Sequence, residues 1–392
     1  MKSQEIKNND KNYIANTYKR FDLCIEKGKG STCTSFDGKE YIDFTSGIGV
    51  NIFGFCDEGW IQAINSQSMK LQHISNLYYT EPCVNVAKIL CEQTGLNKVF
   101  FANSGAEANE CAIKTVRKYS NDKYGKEANR TEIITLLDSF HGRTMAALTA
   151  TGQENYHNDF FPFVQNFSYA IANNINDLIE KISDKTCAIM VEIVQGEGGV
   201  NPLSIEYINS ITKICKENDI LFIVDEVQTG IARTGTLFSY QQMNITPDIV
   251  TFAKGIGGGL PLGGAIFGSK CENVLQFGNH GTTFGGNPIA CAGATYILES
   301  LTPKFLNEVK EKGEYIKANL RAIAKIKSVV GMGMMIGIEV DGFEANDIVS
   351  KALEAGLILL TAKQKVRLLP PLNITYNEID KGLAILRKVL ES

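Results

Sequence analysis

Two short apolar runs in the middle of the chain each stop on an ionisable residue, and they constrain the fold more than any other feature. Ile220-Leu221-Phe222-Ile223-Val224 leads into Asp225-Glu226. Ile249-Val250-Thr251-Phe252-Ala253 leads into Lys254 and then Gly255-Ile256-Gly257-Gly258-Gly259. Continuous apolar runs of this length, rich in β-branched residues, read as strands covered on both faces, the signature of a parallel sheet. In an open α/β sheet, ligands bind at the carboxyl ends of the strands. Asp225 and Lys254 stand at two such ends. Each alone has a plain explanation, since an Asp there caps a turn and a Lys before glycines is solvated. Together with the residues below, the pair points to chemistry.

The alternation extends from about residue 96 to residue 288. Strands are expected at Val99–Phe101, Glu132–Leu137, Cys187–Ile193, Ile220–Asp225, Ile249–Ala253 and Gly263–Gly268, with helices at Ala106–Tyr119, Asn176–Ile182 and Ser204–Asn218 between them. This is the pattern of a doubly wound sheet with helices on both faces. The strand at Gly263–Gly268 follows the Lys254 strand so closely that it is free to run antiparallel. Before this region, residues 1 to about 20 are polar and expected to be partly disordered or draped over a partner. A hairpin is expected at Ser31–Ser35 and Lys39–Phe44, and a helix at Glu58–Gln72. After Pro288, one long helix from Ile289 to Arg321, bent near Pro303, leads into a strand pair within 329–340. A helix at Ala345–Ala355, a short strand at Leu357–Leu360 and a last helix at Asn377–Leu390 complete a smaller α+β unit. The expected division is therefore 51–290 for the large domain and 291–392 for the small one, with residues 1–50 joining the small one.

Composition excludes several classes. The chain has 392 residues, 44% hydrophobic and 21% charged, with a net charge of -4, which is ordinary for a globular protein. No basic stripe is interleaved with aromatics, so a nucleic-acid partner is not expected. The ten cysteines include no CxxC pair, so neither a zinc ribbon nor a redox motif is expected, and no metal site. Met1 to Asp10 is too polar for a signal peptide, and no apolar run reaches the ~20 residues of a membrane helix. A cytoplasmic location is expected.

The cofactor-binding candidates gather around the two strand ends. Phe101-Ala102-Asn103-Ser104-Gly105-Ala106 reads as strand, tight turn and helix start. A helix N-terminus offers free N–H groups and a partial positive charge to an anion. Gly105 permits close approach there, and Ser104 adds a hydroxyl. Phe140, after the strand at 132–137, is placed to stack on a flat ring. Asp225 would hold a pyridine nitrogen protonated, Gln228 could reach a ring hydroxyl, and Lys254 could bond an aldehyde. An acid for the nitrogen and a lysine for the aldehyde are what pyridoxal 5'-phosphate asks of a protein. A nicotinamide-binding oxidoreductase is disfavoured, because no GxGxxG opens a helix after a strand.

The motifs assembled here resemble those of the class III pyridoxal-phosphate aminotransferases, over nearly the whole length. The strongest pieces are Asn103-Ser104-Gly105-Ala106-Glu107-Ala108-Asn109-Glu110, Phe140-His141-Gly142-Arg143-Thr144, Gln195-Gly196-Glu197-Gly198-Gly199, Asp225-Glu226-Val227-Gln228-Thr229-Gly230, Lys254-Gly255 and His280-Gly281-Thr282-Thr283-Phe284-Gly285-Gly286-Asn287-Pro288. The resemblance implies a fold type I α/β architecture with a mostly parallel, seven-stranded-type sheet, and a homodimer with shared active sites. It places Ser104, Gly105, Ala106, Phe140, Asp225, Val227, Gln228 and Lys254 around the cofactor, with Lys254 catalytic and Thr283 reaching the phosphate of the other subunit. It places Arg143, Thr282, Glu197, Arg367, Tyr18 and Ile48 around the substrates. Arg367 would take a 2-oxoglutarate or glutamate carboxylate, and Glu197 would neutralise it while the amine donor is bound.

Within the class, the pattern is most similar to the acetylornithine branch. That implies transfer of the δ-amino group of N2-acetylornithine to 2-oxoglutarate, in arginine synthesis. Ile48 stands where a tyrosine marks ornithine as donor, and Phe284 follows the acetylornithine pattern. Ornithine, a succinylated ornithine or diaminopimelate, and 4-aminobutyrate are the alternative donors. Two segments depart from the family: Gly54-Phe55-Cys56-Asp57-Glu58-Gly59 in place of Gly-His-x-His-Pro, and Glu192-Ile193 in place of Glu-Pro.

Overall fold

The computed structural model of the protein describes residues 2–391. Met1 and Ser392, the outer limits of the expected terminal units, lie outside the described residues. The central element is a seven-stranded sheet. Across it the strands are Lys98–Ala102, Gly263–Phe267, Ile249–Phe252, Leu221–Asp225, Thr186–Val191, Glu132–Leu136 and Phe167–Ala170. Gly263–Phe267 pairs antiparallel with both of its neighbours, and every other pairing is parallel. The expected antiparallel strand is therefore found where the short connection allows it.

The apolar runs are continuous because both faces of the sheet are covered. Phe222, Val224, Val250, Phe252 and Ile266 belong to one core cluster. Leu221, Ile223, Ile249, Ala265 and Phe267 belong to the other. Alternate residues of one strand thus serve opposite layers, as the period of two requires. The helix Gly105–Tyr124 fills one side with Cys111, Ala112, Ile113 and Val116. On the other side lie the helices Glu81–Thr94, Ile205–Asn218 and Pro288–Ser300.

A second, antiparallel sheet is formed by Ile326–Met332, Met335–Val340, Lys365–Leu368 and Leu360–Ala362. A third joins the two ends of the chain. Ile25–Lys29, Thr32–Ser35 and Glu40–Asp43 form a meander, and Leu357–Ile358 pairs parallel with Glu40–Asp43. No helix of the described residues is long and apolar enough to cross a membrane.

Several elements differ from the sequence expectation. Lys2–Tyr13 is a helix, although none of its residues is buried. The single bent helix expected after Pro288 is two helices, Pro288–Ser300 and Pro303–Arg321. Thr302 caps the second one by accepting from Phe305 N at 3.2 Å, and Pro303, which has no N–H to give, stands at its first turn. The helix Glu81–Thr94, closed by the left-handed Gly95, and the strands Ile25–Lys29 and Phe167–Ala170 are additional.

Between two strands of the terminal sheet and the large sheet, Ser46, Gly47, Ile48 and Gly49 all adopt the left-handed conformation, with φ of 49°, 60°, 65° and 75°. Such a turn is unusual for a β-branched residue. Asp43 fixes its start by accepting from Thr45 N at 2.7 Å and Ser46 N at 3.1 Å, and Ser46 Oγ donates to Leu369 O at 2.6 Å. Ile48 is consequently turned outward and 42% exposed.

Candidate functional site

The carboxyl ends of five parallel strands open into one cavity of about 440 Å³. Asp225 closes its strand. Lys254 lies two residues past Phe252, Glu192 one past Val191, Phe140 four past Leu136, and Ser104 two past Ala102. Sheet topology alone therefore gathers residues that are far apart in sequence.

Asp225 is the most firmly held of them. Its Oδ2 accepts from Asn109 Nδ2 at 2.8 Å and lies 2.7 Å from His141 Nδ1, while its Oδ1 accepts from Val227 N at 2.9 Å. Asn109 donates also to His141 O at 2.7 Å. Asp225, His141 and Asn109 are all buried. Since carboxylate oxygens only accept, His141 presents a protonated Nδ1 to Asp225.

Lys254 has left-handed backbone, φ 50°, a conformation that non-glycine residues keep where surrounding structure imposes it. Among the described residues its amine has no hydrogen-bond or ion-pair partner. Burial holds its pKa below the usual lysine value; the nearby Glu197 opposes that shift and Arg367 adds to it.

The anion cradle is the start of the helix Gly105–Tyr124. Ser104 caps it by accepting from Glu107 N at 3.2 Å. A Cβ on Gly105 would lie 2.7 Å from Val227 Cγ1, so only glycine lets the helix start sit against the Asp225 strand exit. Gly142, with φ 138°, approaches the same turn: a Cβ there would lie 2.7 Å from Ala106 Cβ.

One wall carries the paired charges. Arg367 Nη1 is 2.6 Å from Glu197 Oε1 and its Nη2 is 3.2 Å from Glu197 Oε2, a two-pronged pair. Burial pushes the Glu197 carboxyl up, but Arg367, Lys254 and Gln228 together outweigh it and the net shift is downward. Arg367 Nε, also buried, has no partner among the described residues. Phe140 and Arg143 also line the cavity. The Arg143 guanidinium lies 3.9 Å from the Tyr156 ring centroid and 5.6 Å from that of Phe140, in the range of cation–π attraction.

Of the residues singled out from the sequence, Ser104, Gly105, Ala106, Phe140, Arg143, Glu197, Asp225, Val227, Gln228 and Lys254 line this cavity. Arg367 stands directly behind Glu197 and Gln228. Thr282, Thr283, Tyr18 and Ile48 are outside it. Thr282 is tied to the cradle, since Asn103 Nδ2 donates to its Oγ1 at 3.0 Å, while Thr283 lines a separate recess with His73 and Asn76. Tyr18 is 71% exposed.

Sequence reasoning gave no role to Asn109, His141 or Glu192. Asn109 was findable, because it lies four residues beyond Gly105 on the same helix face. Glu192 accepts from Phe140 N at 3.0 Å and Gly196 N at 3.2 Å. Burial pushes it up to about 7, with Asp225 adding to the rise and His141 opposing it.

These residues fit pyridoxal phosphate. An anchored carboxylate, an unpartnered amine, a helix start with small residues and an aromatic wall face one space of suitable size, and the buried His141 Nε2 is left without a partner among the described residues.

Comparisons with known proteins agree with this geometry. The family described as Aminotransferase class-III matches residues 13–390. The acetylornithine aminotransferase of Haemophilus ducreyi is 50% identical over 100% of this chain and 99% of its own. That of Caldanaerobacter subterraneus is 47% identical over 97% and 98%. Among solved structures, the ornithine aminotransferase of Toxoplasma gondii superposes with a TM-score of 0.94 at 30% identity, covering 99% of this chain and 95% of that one. The N-acetylornithine aminotransferase of Stenotrophomonas maltophilia gives 0.85 at 32%, covering 98% of each. From its strand-end acid and lysine to its full-length relatives, the chain belongs to the class III aminotransferases.

Proposed function

We propose that this aminotransferase moves the δ-amino group of N2-acetylornithine to 2-oxoglutarate, giving N-acetylglutamate 5-semialdehyde and glutamate. The observation that carries the reading is the two-pronged Glu197–Arg367 pair, with Arg367 buried and Glu197 half-buried, on the wall of the Lys254 cavity. One site must accept two partners of different charge in turn, and a guanidinium that a movable carboxylate can cover or expose serves both. The full-length relatives named acetylornithine aminotransferase support the choice of donor.

Pyridoxal phosphate, when bound, supplies an electron sink for the charge left by deprotonation of the donor's Cδ. Asp225 would keep the ring nitrogen protonated, and His141 and Asn109 hold Asp225 in place. Phe140 would pack against the ring, and the start of the helix at Gly105 would receive the phosphate. Lys254 would carry the proton away from Cδ, and burial favours the neutral amine it needs for that. Arg143 takes the donor carboxylate while Glu197 covers Arg367. In the second half-reaction Glu197 moves aside and Arg367 takes a carboxylate of 2-oxoglutarate.

The residues outside the cavity fit a homodimer with shared sites. In this reading Thr283, with Thr282 beside it, comes from a second copy of the chain to the phosphate, and Ile48 and Tyr18 border the donor path. The exposed Leu77, Tyr78, Tyr79, Phe277 and Phe284 support a covered face there. The chain is read as a large unit, 51–290, and a small one, 291–392, to which residues 1–50 belong; the pairing of Leu357–Ile358 with Glu40–Asp43 supports that division. In this reading the enzyme is cytoplasmic and serves biosynthesis.

The test is a visible absorption spectrum of the holoenzyme during titration with N2-acetylornithine, ornithine and 4-aminobutyrate in turn. Conversion of the cofactor band at the lowest concentration of N2-acetylornithine, reversed by 2-oxoglutarate, is expected. Conversion by ornithine or 4-aminobutyrate at lower concentrations would overturn the donor and leave the reaction class standing.

A further inference from the structure

Gln228 is built into the Glu197–Arg367 pair. Arg367 Nη1 donates to Gln228 Oε1 at 3.0 Å, and Gln228 Nε2 donates to Glu197 Oε1 at 3.2 Å. The same Nη1 lies 2.6 Å from Glu197 Oε1, so three side chains close a ring of hydrogen bonds. The amide can face only one way. A guanidinium has no acceptor and an ionised carboxylate no donor, so a reversed amide would set NH2 against Arg367 and the carbonyl against Glu197. Gln228 is itself buried and lines the cavity. The backbone of the Glu197 loop presses on it, because a Cβ on Gly196 would lie 2.2 Å from its Oε1.

We propose that Gln228 is a specificity-determining positioning residue: it holds Glu197 over Arg367 and so sets how readily the site changes from amine donor to dicarboxylate acceptor. The inference rests on the carboxylate-switch reading of Glu197 and Arg367 above. With Glu197 in place, the amide serves both partners at once. With Glu197 displaced, the amide keeps Arg367 and loses its acceptor. The hydrogen bond to Glu197 therefore exists in one state only, and an interaction present in one state tilts the balance by its full difference. Two substitutions should move that balance in opposite directions. Gln228→Met keeps the volume and removes the support for Glu197. Gln228→Glu adds a second carboxylate that stays beside Arg367 when Glu197 leaves.

The experiment is calorimetric titration of the holoenzyme with glutarate, a dicarboxylate that carries no oxo group to react, alongside donor KM. Gln228→Met should tighten glutarate roughly tenfold and raise donor KM, whereas Gln228→Glu should weaken glutarate roughly tenfold or more, a tenfold change being about 1.4 kcal/mol. General loosening of the site would weaken glutarate in both variants, and that result would overturn the role of Gln228. Should the Met variant fail to retain cofactor, the Glu variant decides alone: unchanged glutarate affinity overturns the proposal. Glu197→Gln, titrated in parallel, separates the two levels. If it tightens glutarate while the Gln228 variants leave it unchanged, Gln228 has no part in a switch that exists. If it leaves glutarate unchanged, the switch reading itself fails.

Discussion

The floor and the wall of the cavity are built on opposite principles. On the floor, Asp225 has hydrogen-bond partners at both oxygens, supplied by a helix side chain, an imidazole and a backbone N–H. Asn109 is itself tied to His141 O, so these donors hold the carboxylate in one position. On the wall, Glu197 and Arg367 are also paired, but Arg367 keeps an unpartnered Nε and Glu197 is held only by side chains. The floor is organised to keep one cofactor; the wall can be rearranged without disturbing a strand. A third zone, the exposed rim with Thr283, Ile48 and Tyr18, is not organised by this chain's own cavity. The difference teaches that permanence in this site comes from backbone and helix donors, and adaptability from long side chains that bond only to each other.

Substitutions can break this contrast. The largest effect is expected for Lys254→Ala, which should lower turnover with either substrate by roughly 10²–10⁴-fold or more, the range ascribed to a positioned proton carrier. Single-turnover kinetics measure it, and a parental rate would remove Lys254 from the chemistry. Asp225→Asn comes next. Its new NH2 faces donors on every side, so cofactor affinity, read by equilibrium dialysis, should fall by roughly 10–100-fold, as for one or two charge-assisted bonds. A tightly held cofactor in that variant would mean the floor is less committed than it looks.

The rim is tested by complementation. Thr283→Glu sets a negative charge against the phosphate, and co-expression with Lys254→Ala should restore activity that neither variant has alone. Only a site that takes Lys254 and Thr283 from different copies can be rebuilt in that way, so failure to restore would assign Thr283 elsewhere.

The smallest effect concerns the buried Glu192. Its folded pKa, about 7, lies above the ordinary 4.5. The folded state therefore binds more protons between those values, and its stability should decline as pH rises from 4.5 to about 7, then level off. Glu192→Gln should flatten that slope, measured as Tm against pH on the cofactor-free protein. An unchanged slope would mean that Glu192 does not titrate across that range.

What could be read from sequence follows from where the determining physics acts. Asp225 and Lys254 were legible because buried parallel strands have a composition of their own, and ligands gather where such strands end. The cradle at Ser104-Gly105 was legible only beside that pair, since on its own a glycine after a capping serine reads as an ordinary helix start. Of the partners of Asp225, Asn109 left a trace in its helical spacing from Gly105, but His141 reaches the carboxylate through tertiary packing that no local pattern encodes. The helix Lys2–Tyr13 was missed because it buries no residue and so leaves no apolar period to detect. The cation-to-acid pairing of Arg367 with Glu197 was legible only through the motif around each, as 170 residues separate them.

The single antiparallel strand has a consequence for how the protein is made. Lys98–Ala102, which leads into the anion cradle, has one sheet neighbour, Gly263–Phe267. While the chain emerges from the ribosome, that early strand has nothing to pair with until the far later segment is synthesised. The same late segment follows directly on Lys254. Cradle and lysine are therefore completed by one closing event, and a truncated nascent chain has no finished pocket in which to trap a reactive aldehyde.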